Sequence, residues 1–259
     1  MYTKMTEIAE AVAIAAGRLL KENLGKPRSI EYKGAVDIVT EMDRASEALI
    51  VAGITSAFPD HGILTEERAE MPGAEPVRWI IDPLDGTTNY AHGFPVFCVS
   101  IALEVSGTVE YGCVYNPMLD ELFTAARGGG AFLNNAPIRV SRSAELDSSL
   151  LATGFPYDIR TSRKTNLEHF AAFARRAQAI RRAGSAALDL SYVACGRFDG
   201  FWEMKLKAWD VAAAGLIVTE AGGRITDFTG APFAIHGHEC LASNALIHDE
   251  MLGLLAPNL

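Results

Sequence analysis

The spacing of the apolar residues changes twice along this chain of 259 residues. In the first fifty-odd residues it is helical, which predicts one helix that ends at Gly25 and a second that starts after Thr40. From Val77 onwards, short apolar runs separated by turns predict strands, and helical spacing returns at Thr165. Helices and strands that alternate in blocks predict a layered α+β architecture rather than a regular βαβ repeat.

The predicted strands after Val77 are short. The first, Trp79–Ile81, is expected to stop at Asp82, and Val96–Val105 and Thr108–Tyr115 are expected to form a hairpin. Further strands are predicted at Leu122–Ala126, Leu150–Thr153, Phe198–Glu203, Arg224–Thr226 and Cys240–Ser243. Further helices are predicted at Thr165–Ala179, Ala186–Cys195, Asp210–Ala221 and Ala245–Leu255. The helix after Thr40 is expected to turn these residues inward: Ala45, Ala48, Leu49 and Ala52.

The composition is that of a globular protein. Hydrophobic residues make up 49% and charged residues 21% of the chain, which supplies enough apolar material for a sizeable core. No apolar run approaches the roughly 18 residues that a membrane span needs. Glu7 and Glu10 interrupt the segment where a signal peptide would be apolar, so we expect a cytoplasmic protein.

Charge and cysteine spacing argue against two classes of function. The 23 basic and 32 acidic side chains give a net charge of −9, which opposes non-specific binding of nucleic acid. The four cysteines include no CxxC pair and no cluster with the spacing of a zinc site, so reduced, partly buried thiols are expected. A small anionic substrate remains compatible with this charge if a bound metal supplies positive charge locally.

The chemistry begins where the apolar run at Ile81 meets the sequence Asp82–Asn89. Two carboxylates stand three positions apart, and Pro83 between them limits how far they can splay. Gly86 allows close approach of a ligand, and the two threonines that follow resemble a helix start whose amides suit a phosphate. Mg²⁺ commonly uses one or two carboxylates together with phosphate oxygens. The simpler interpretation of such a motif is a turn and a helix cap.

Three more acidic sites lie at the ends of predicted elements. Asp37 and Asp43 bracket a short apolar run, the pair Glu66–Glu67 follows another, and Asp210 starts an apolar helix. Each has a structural alternative: Asp43 with Thr40 resembles a capping box, Asp210 could act on the helix dipole alone, and the glutamates could be solvated. Together they place several carboxylates at chain reversals.

These motifs resemble those of the inositol monophosphatase family, within the lithium-sensitive, magnesium-dependent phosphatases. The family pattern stands here as Glu66–Glu67, Asp82–Asn89 and Trp209–Ala212. Further similarity lies in Asp37–Asp43, Phe94–Leu103, Gly128–Asn134 and Thr219–Gly223. The resemblance covers about residues 30 to 245, in order.

The resemblance implies a layered α-β-α-β-α sandwich, usually a homodimer, that uses two to three Mg²⁺ ions per active site. We expect a single domain over residues 1–259, with an α+β half at about 1–145 that carries most metal ligands and an α/β half at about 146–259. The implied metal ligands are Glu66, Asp82, Leu84 through its carbonyl, Asp85 and Asp210. Asp82 would bridge the first two ions, and Glu66 would also face a third.

The same similarity implies roles around the phosphate and the leaving group. Thr87 paired with Asp43 would orient and deprotonate the attacking water, and Glu66 is the third implied catalytic residue. The implied substrate-binding residues are Asp85, Gly86, Thr87, Thr88, Gly184, Ser185, Ala186 and Glu203. A carboxylate such as Glu203 can accept hydrogen bonds from two hydroxyl groups of a polyol. Further candidate site residues are Lys33, Asp37, Glu67 and Arg181.

The function implied is a Mg²⁺-dependent phosphomonoesterase for inositol monophosphate or a related small polyol phosphate. The sequence Thr87-Thr88-Asn89 favours the inositol branch over the bisphosphate nucleotidases, which tend to have Thr-Lys-Glu there. Fructose-1,6-bisphosphatase and histidinol-phosphate phosphatase remain open alternatives. An alternative of another class is a regulatory binding protein with residual phosphatase activity. We expect no membrane or nucleic-acid partner.

Overall fold

The computed structural model describes residues 2–26, 30–32 and 38–256, and in it helices and sheets alternate in layers. Seven α-helices are described: α1 Tyr2–Asn23, α2 Glu41–Ala57, α3 Thr87–Ala91, α4 Leu167–Ala174, α5 Ala186–Ala194, α6 Ala208–Glu220 and α7 His248–Leu255. The helices α1 and α2 pack together on one face of a large sheet, and α6 covers its other face. The helix α5 lies between α6 and a second sheet, whose far side carries α4 and α7. The expected α-β-α-β-α sandwich is therefore confirmed.

The large sheet has seven strands in the order β3-β4-β5-β6-β7-β8-β9, with β3 parallel to β4 and all other pairs antiparallel. Its strands are β3 Gly62–Thr65, β4 Val77–Asp85, β5 Cys98–Val105, β6 Thr108–Asn116, β7 Glu121–Ala126, β8 Gly130–Leu133 and β9 Ala136–Pro137. Helices cover both faces, which explains why β5 reads as a nearly continuous apolar run. Gly112 of β6 lets α6 approach closely, since a Cβ there would lie 2.7 Å from the carbonyl oxygen of Ala213.

The second sheet has five strands in the order β11-β10-β12-β14-β13. Its strands are β10 Leu150–Thr153, β11 Ala179–Arg181, β12 Gly200–Met204, β13 Arg224–Thr226 and β14 Glu239–Ser243. The strands β10, β11 and β12 run parallel, and β12 and β13 are each antiparallel to β14. A short pair, β1 Ile30–Tyr32 with β2 Ile38–Thr40, leads into α2. A 3₁₀ turn at Leu146–Ser148 precedes β10.

Three sequence-based expectations need correction. The strand expected to stop at Asp82 continues to Asp85 through a register shift. The helix expected over 165–179 ends at Ala174, and Ala179 already begins β11. In α2 the residues Ala48 and Ala52 are exposed. The buried face of α2 consists of Met42, Asp43, Ser46, Glu47, Ile50, Val51 and Ile54.

The polar residues on that inner face of α2 are buried because each has a partner. The Ser46 hydroxyl donates to the carbonyl of Pro83 over 2.7 Å. The carboxylate of Glu47 accepts from the Thr65 hydroxyl and from the Arg68 guanidinium. The apolar residues alone do not predict this face of α2, because polar groups that are hydrogen-bonded can also be buried.

The cysteines and the helices agree with two further expectations. All four cysteines are free thiols, and all but Cys195 are buried. None of the helices in the described ranges is both long enough and apolar enough to cross a bilayer.

Candidate active site

A cavity of about 480 Å³ opens where β4, α3 and the start of α6 meet the loops of the second sheet. It is lined by Glu66, Asp82, Leu84, Asp85, Gly86, Thr87, Thr88, Thr153, Gly154, Phe155, Pro156, Tyr157, Asp158, Arg182, Gly184, Ser185, Ala186, Asp189, Glu203, Met204, Lys205, Leu206, Lys207, Trp209 and Asp210. Most of the site residues expected from the sequence are in this set. The cavity is therefore the candidate active site.

A bulge in β4 brings two of the acids to the same side. Asp82 pairs with Ser100 and Asp85 pairs with Cys98, with a register shift between the two pairs. In a regular strand, side chains three positions apart point to opposite faces. The extra residues of a bulge change this alternation, and Asp82 and Asp85 both line the cavity.

Backbone amides fix one oxygen of each of three cavity carboxylates. The amide of Leu84 donates to Asp82 Oδ1 over 3.0 Å, and the amide of Lys207 donates to Asp210 Oδ2 over 2.7 Å. Asp85 Oδ2 accepts from the amide of Ala187 over 2.8 Å. Such bonds orient each carboxylate and leave its second oxygen for another ligand.

The acids of the cavity oppose one another's ionisation. Burial raises the pKa of Asp82 well above its usual range, and the charges of Glu66, Asp85 and Asp210 raise it further. Burial also raises the pKa of Asp210 well above its usual range, with Asp85 adding to the effect. The pKa of Asp85 is raised by burial, against the hydrogen bond from Ser185. A cation would relieve this repulsion.

The chemistry of the donor set suits a hard divalent cation. Carboxylate and carbonyl oxygens are the donors that Mg²⁺ takes in proteins, and this end of the cavity offers both, since Leu84 lies between the two aspartates of β4. Within the described ranges, no three Asp, Glu, His or Cys side chains are grouped so that they could hold an ion as they stand.

Asp43 reaches the cavity through Thr87. The Thr87 hydroxyl donates to Asp43 Oδ1 over 2.8 Å, and Asp43 itself is fully buried. Asp43 Oδ2 accepts from the backbone amide of Thr40, as in the capping box expected at the start of α2, and it also accepts from the Thr40 hydroxyl. Burial raises the pKa of Asp43, although the bonds from Thr40 and Thr87 oppose the shift. Asp43 thus caps α2 and positions a cavity hydroxyl.

The turn between β4 and α3 requires a glycine. Gly86 has a φ of +102°, and a Cβ there would lie 2.9 Å from the carbonyl oxygen of Val96. The following helix α3 starts at Thr87, as expected from the sequence. The side-chain amide of Asn89 donates to the carbonyls of Val96 and Ala183 over 2.7 and 2.8 Å. Asn89 therefore ties the loop before α5 to this turn, a role that the sequence did not reveal.

The other end of the cavity is built from α5 and β12. Ser185 caps α5 and donates to Asp85 Oδ2 over 2.6 Å. Glu203 lies on β12, and burial raises its pKa to about 8, against the attraction of Arg182. A Cβ on Gly154 would lie 2.1 Å from Glu203 Oε1. Gly154 therefore leaves the space that the Glu203 carboxylate occupies.

Of the four further candidates, Glu67 and Arg181 are described, and neither lines the cavity. Lys33 and Asp37 fall outside the described residues. The backbone amide of Glu67 donates to the Glu47 carboxylate over 3.1 Å, which ties Glu67 to α2. Arg181 is exposed at the end of β11 and donates to the carbonyl of Ile180.

Several cavity residues were absent from the sequence-based set. Among them are Arg182, Asp189, Lys205 and Lys207, with Tyr157 and Asp158 from the loop after β10. Only Asp189 carried a visible signal, since it is the single acid in the otherwise apolar or small run Ala186–Ala194.

Comparison with known proteins gives the same family as the motifs. A family model described as the inositol monophosphatase family matches residues 1–258. An inositol-1-monophosphatase of Synechocystis sp. is 46% identical over 252 residues, covering 96% of this chain and 88% of that protein. The Nus factor SuhB of Escherichia coli strain K12 is 47% identical over 229 residues, covering 87% of this chain and 86% of that protein.

Solved structures agree along the whole chain. An inositol monophosphatase from Anabaena (Nostoc) sp. superimposes with a TM-score of 0.90 at 43% identity, covering 99% of this chain and 96% of that one. The extragenic suppressor protein suhB from Bartonella henselae superimposes with a TM-score of 0.95 at 41% identity, covering 99% and 100%. The family is one of phosphatases and is generally metal-dependent. The chain belongs to the inositol monophosphatase family and is a phosphoric monoester hydrolase.

Proposed function

We propose that this protein is a Mg²⁺-dependent phosphomonoesterase that hydrolyses inositol monophosphate or a related small polyol phosphate to the alcohol and inorganic phosphate. The observation that carries the proposal is the set of three aspartates, Asp82, Asp85 and Asp210, which line one cavity and are each held there by a backbone amide. Acids that are buried side by side are costly unless a cation compensates them. The relative from Synechocystis is named inositol-1-monophosphatase, which supports the substrate class.

The proposed metal ligands are the carboxylates of Glu66, Asp82, Asp85 and Asp210 and the carbonyl of Leu84. These residues would together hold two to three Mg²⁺ ions. When bound, the cations would neutralise the phosphate and lower the pKa of water. Lithium sensitivity follows from the family resemblance. The resemblance implies that Lys33 approaches the third metal site, and Asp37 remains a further candidate; both fall outside the described residues.

The residues around Thr87 would orient and deprotonate the attacking water. The Thr87 hydroxyl donates a hydrogen bond to Asp43. The hydroxyl oxygen of Thr87 can therefore accept a hydrogen bond from water. Asp43 would draw the proton from Thr87 as the hydroxyl takes one from the attacking water. The phosphate would lie against the start of α3, where Gly86 permits close approach and Thr87 and Thr88 offer amides and hydroxyls.

The leaving group would lie towards α5 and β12. Gly184, Ser185 and Ala186 would border it, and Glu203 would accept hydrogen bonds from its hydroxyl groups. Asp85 would face both the phosphate and the leaving group. The sites of fructose 1,6-bisphosphate and histidinol phosphate hydrolysis would differ in the loops on this side, so both activities remain alternatives. We also propose that the protein is a homodimer, as is usual in the family, with Arg181 as a candidate contact to the partner's substrate.

Two measurements test direct attack by water: hydrolysis in ¹⁸O-labelled water reports whether the P–O bond is the one broken, and a search for phosphoprotein reports whether water attacks the substrate itself. One labelled oxygen should appear in each phosphate released during a single turnover, and no phosphorylated protein should accumulate. Phosphoprotein that forms at the rate of turnover would contradict the mechanism. Asp147→Ala is the control, since it removes an exposed acid that pairs with Arg176 and does not line the cavity; it should keep the labelling pattern.

A second candidate function is a regulatory binding role. The relative from Escherichia coli is named Nus factor SuhB, and this name favours a protein partner for this chain as well. A tagged copy should then retain a stoichiometric partner from a lysate of its own cells, in the presence or absence of a chelator. Recovery of the protein alone would leave the phosphatase as its one proposed role.

A further inference from the structure

The cavity contains a buried acid that the proposed mechanism does not use. Asp189 lies in the first turn of α5, is 1% exposed and lines the cavity. Its Oδ1 atom has no hydrogen-bond partner among the described residues. Nearly all buried polar groups in folded proteins are hydrogen-bonded. A carboxyl in this position is therefore suited to a partner that enters the cavity.

The neighbours of Asp189 place it at the leaving-group end. Glu203 and Asp85 raise the pKa of Asp189 beyond the effect of burial, and Arg182 opposes them. Arg182 has the same opposing effect on Glu203. Two carboxyls of separate elements, α5 and β12, thus face a shared space beside one guanidinium. The Arg182 side chain extends over Gly184, since its Nη1 lies 2.7 Å from the position of a Cβ there.

The charges around this space favour an uncharged polyol over an amine. Asp189 and Glu203 both line this space, and Arg182 lines it as well. Carboxyl oxygens accept hydrogen bonds from hydroxyl groups, so two carboxyls can serve two neighbouring hydroxyl groups. The Arg182 guanidinium would repel an ammonium group. The arrangement thus suits neighbouring hydroxyl groups.

We propose that Asp189 is a specificity-determining residue that, with Glu203, forms a two-carboxyl subsite for adjacent hydroxyl groups of an uncharged leaving group. The inference rests on the proposed function, because it assigns the leaving group of that same reaction. In this subsite Asp189 of α5 contacts the leaving group in addition to Glu203 of β12. It also separates polyol phosphates from amino-alcohol phosphates such as histidinol phosphate.

The experiment compares two substrates with the same ring. Inositol 1-phosphate carries hydroxyl groups, and cyclohexyl phosphate carries none. In Asp189→Ala the ratio of kcat/KM for inositol 1-phosphate to that for cyclohexyl phosphate should fall about tenfold, the effect of one buried hydrogen bond. Asp189→Asn, which still accepts and donates, should recover much of the ratio. Asp147→Ala removes an exposed acid that pairs with Arg176 and is the control.

Binding gives a second readout that does not need turnover. In the presence of Mg²⁺ and inorganic phosphate, calorimetry should detect binding of myo-inositol, and Asp189→Ala should weaken it about tenfold. An unchanged substrate ratio and unchanged inositol affinity in Asp189→Ala would overturn the role of Asp189 alone. A wild-type preference for histidinol phosphate would overturn the choice of an uncharged leaving group. If the protein hydrolyses none of the phosphate esters but still binds inositol, the result would contradict the proposed function and not the subsite.

Discussion

The hydroxyl of Thr87 and the carboxylate of Asp43, 44 residues apart in the chain, are joined by a hydrogen bond of 2.8 Å. The bond connects the start of α3 to the start of α2. It gives Asp43, which is fully buried, an effect on the cavity that its own position would not allow. Asp43 therefore helps to cap α2 and is also the proposed proton acceptor.

Replacing Thr87 tests this pair. Thr87→Val keeps the shape of the side chain but removes the hydroxyl, so we expect kcat to fall by about 10²–10⁴-fold, the usual contribution of a positioned acid or base. Thr87→Ser keeps the hydroxyl and should keep most of the activity. Steady-state kinetics with inositol 1-phosphate make the comparison. Equal kcat values for the Val and Ser variants would exclude the hydroxyl from the reaction.

Asp85→Asn should abolish turnover while the protein still folds. The amide oxygen of asparagine can still accept from the Ala187 amide, whereas the charge needed for a cation is lost. Ser185→Ala is the matched control, because it removes the bond of 2.6 Å to Asp85 but leaves the carboxylate. That variant should still need Mg²⁺ for turnover, even where its preference among leaving groups changes, and should lose about 1 kcal/mol of stability through its helix cap. Normal turnover in Asp85→Asn would contradict the assignment of Asp85 as a metal ligand.

Magnesium should stabilise the fold. At a free concentration one hundred times the dissociation constant, a ligand that binds only the folded state adds about 2.7 kcal/mol to the free energy of unfolding. Asp82→Asn should reduce this gain and, in EDTA, should raise the stability because it relieves repulsion from Glu66, Asp85 and Asp210. Urea unfolding with Mg²⁺ and with EDTA measures both effects. A variant that still gains the full amount from Mg²⁺ would not have lost a ligand.

Gly154→Ala should disturb the choice of leaving group. The added Cβ would lie 2.1 Å from Glu203 Oε1, so the Glu203 carboxylate must move. We expect the variant to lose discrimination among leaving groups more than metal affinity, and Glu203→Gln to show the same pattern. The measurement is kcat/KM over several phosphate esters, alongside the Mg²⁺ concentration for half-maximal rate. An unchanged substrate order in both variants would show that Glu203 does not contact the leaving group.

His248 should make the fold sensitive to mild acid. Burial lowers its pKa from 6.5 to about 4, and its ring nitrogens bond the hydroxyls of Thr226 and Ser243. The unfolded chain therefore takes up a proton near pH 6.5 and the folded chain only near pH 4, so stability falls as the pH falls between these values. The loss between pH 7 and pH 5 should be about 2 kcal/mol.

The comparison with His248→Gln isolates that effect, since glutamine can bond a hydroxyl but does not titrate. Free energies of unfolding at the two pH values should differ less in the variant, by the amount that His248 contributes. If the free energy of unfolding changes equally with pH in the wild type and in His248→Gln, His248 is not the group responsible.

The layered fold was predictable because its elements have strong periodicity. Strand β10 and the helix after Thr40 were predicted within a residue or two of their observed bounds. The end of β4 was not, because Pro83 and the two aspartates are typical of a turn, and only pairing with β5 keeps the chain extended to Asp85. The short strand β11 was merged into a helix because Ala179 continues a helical pattern.

The metal end of the cavity was easier to anticipate than the leaving-group end. Asp82 and Asp85 are close in sequence and belong to a specific motif, so the residues pointed to the chemistry directly. Asp189 and Arg182 belong to no such motif, and their proximity to Glu203 arises only when α5 packs against β12. Long-range packing of this kind leaves little trace in one sequence.

The central claim is a metal-dependent phosphomonoesterase, and phosphate release tests it most directly. The protein is given Mg²⁺, with or without EDTA, and a panel of inositol 1-phosphate, fructose 1,6-bisphosphate, histidinol phosphate, 3′-phosphoadenosine 5′-phosphate and NADP. We predict release from inositol 1-phosphate that is fastest in the panel and is lost with EDTA. Release that persists in EDTA, or a folded protein that is silent on every substrate, would contradict the account.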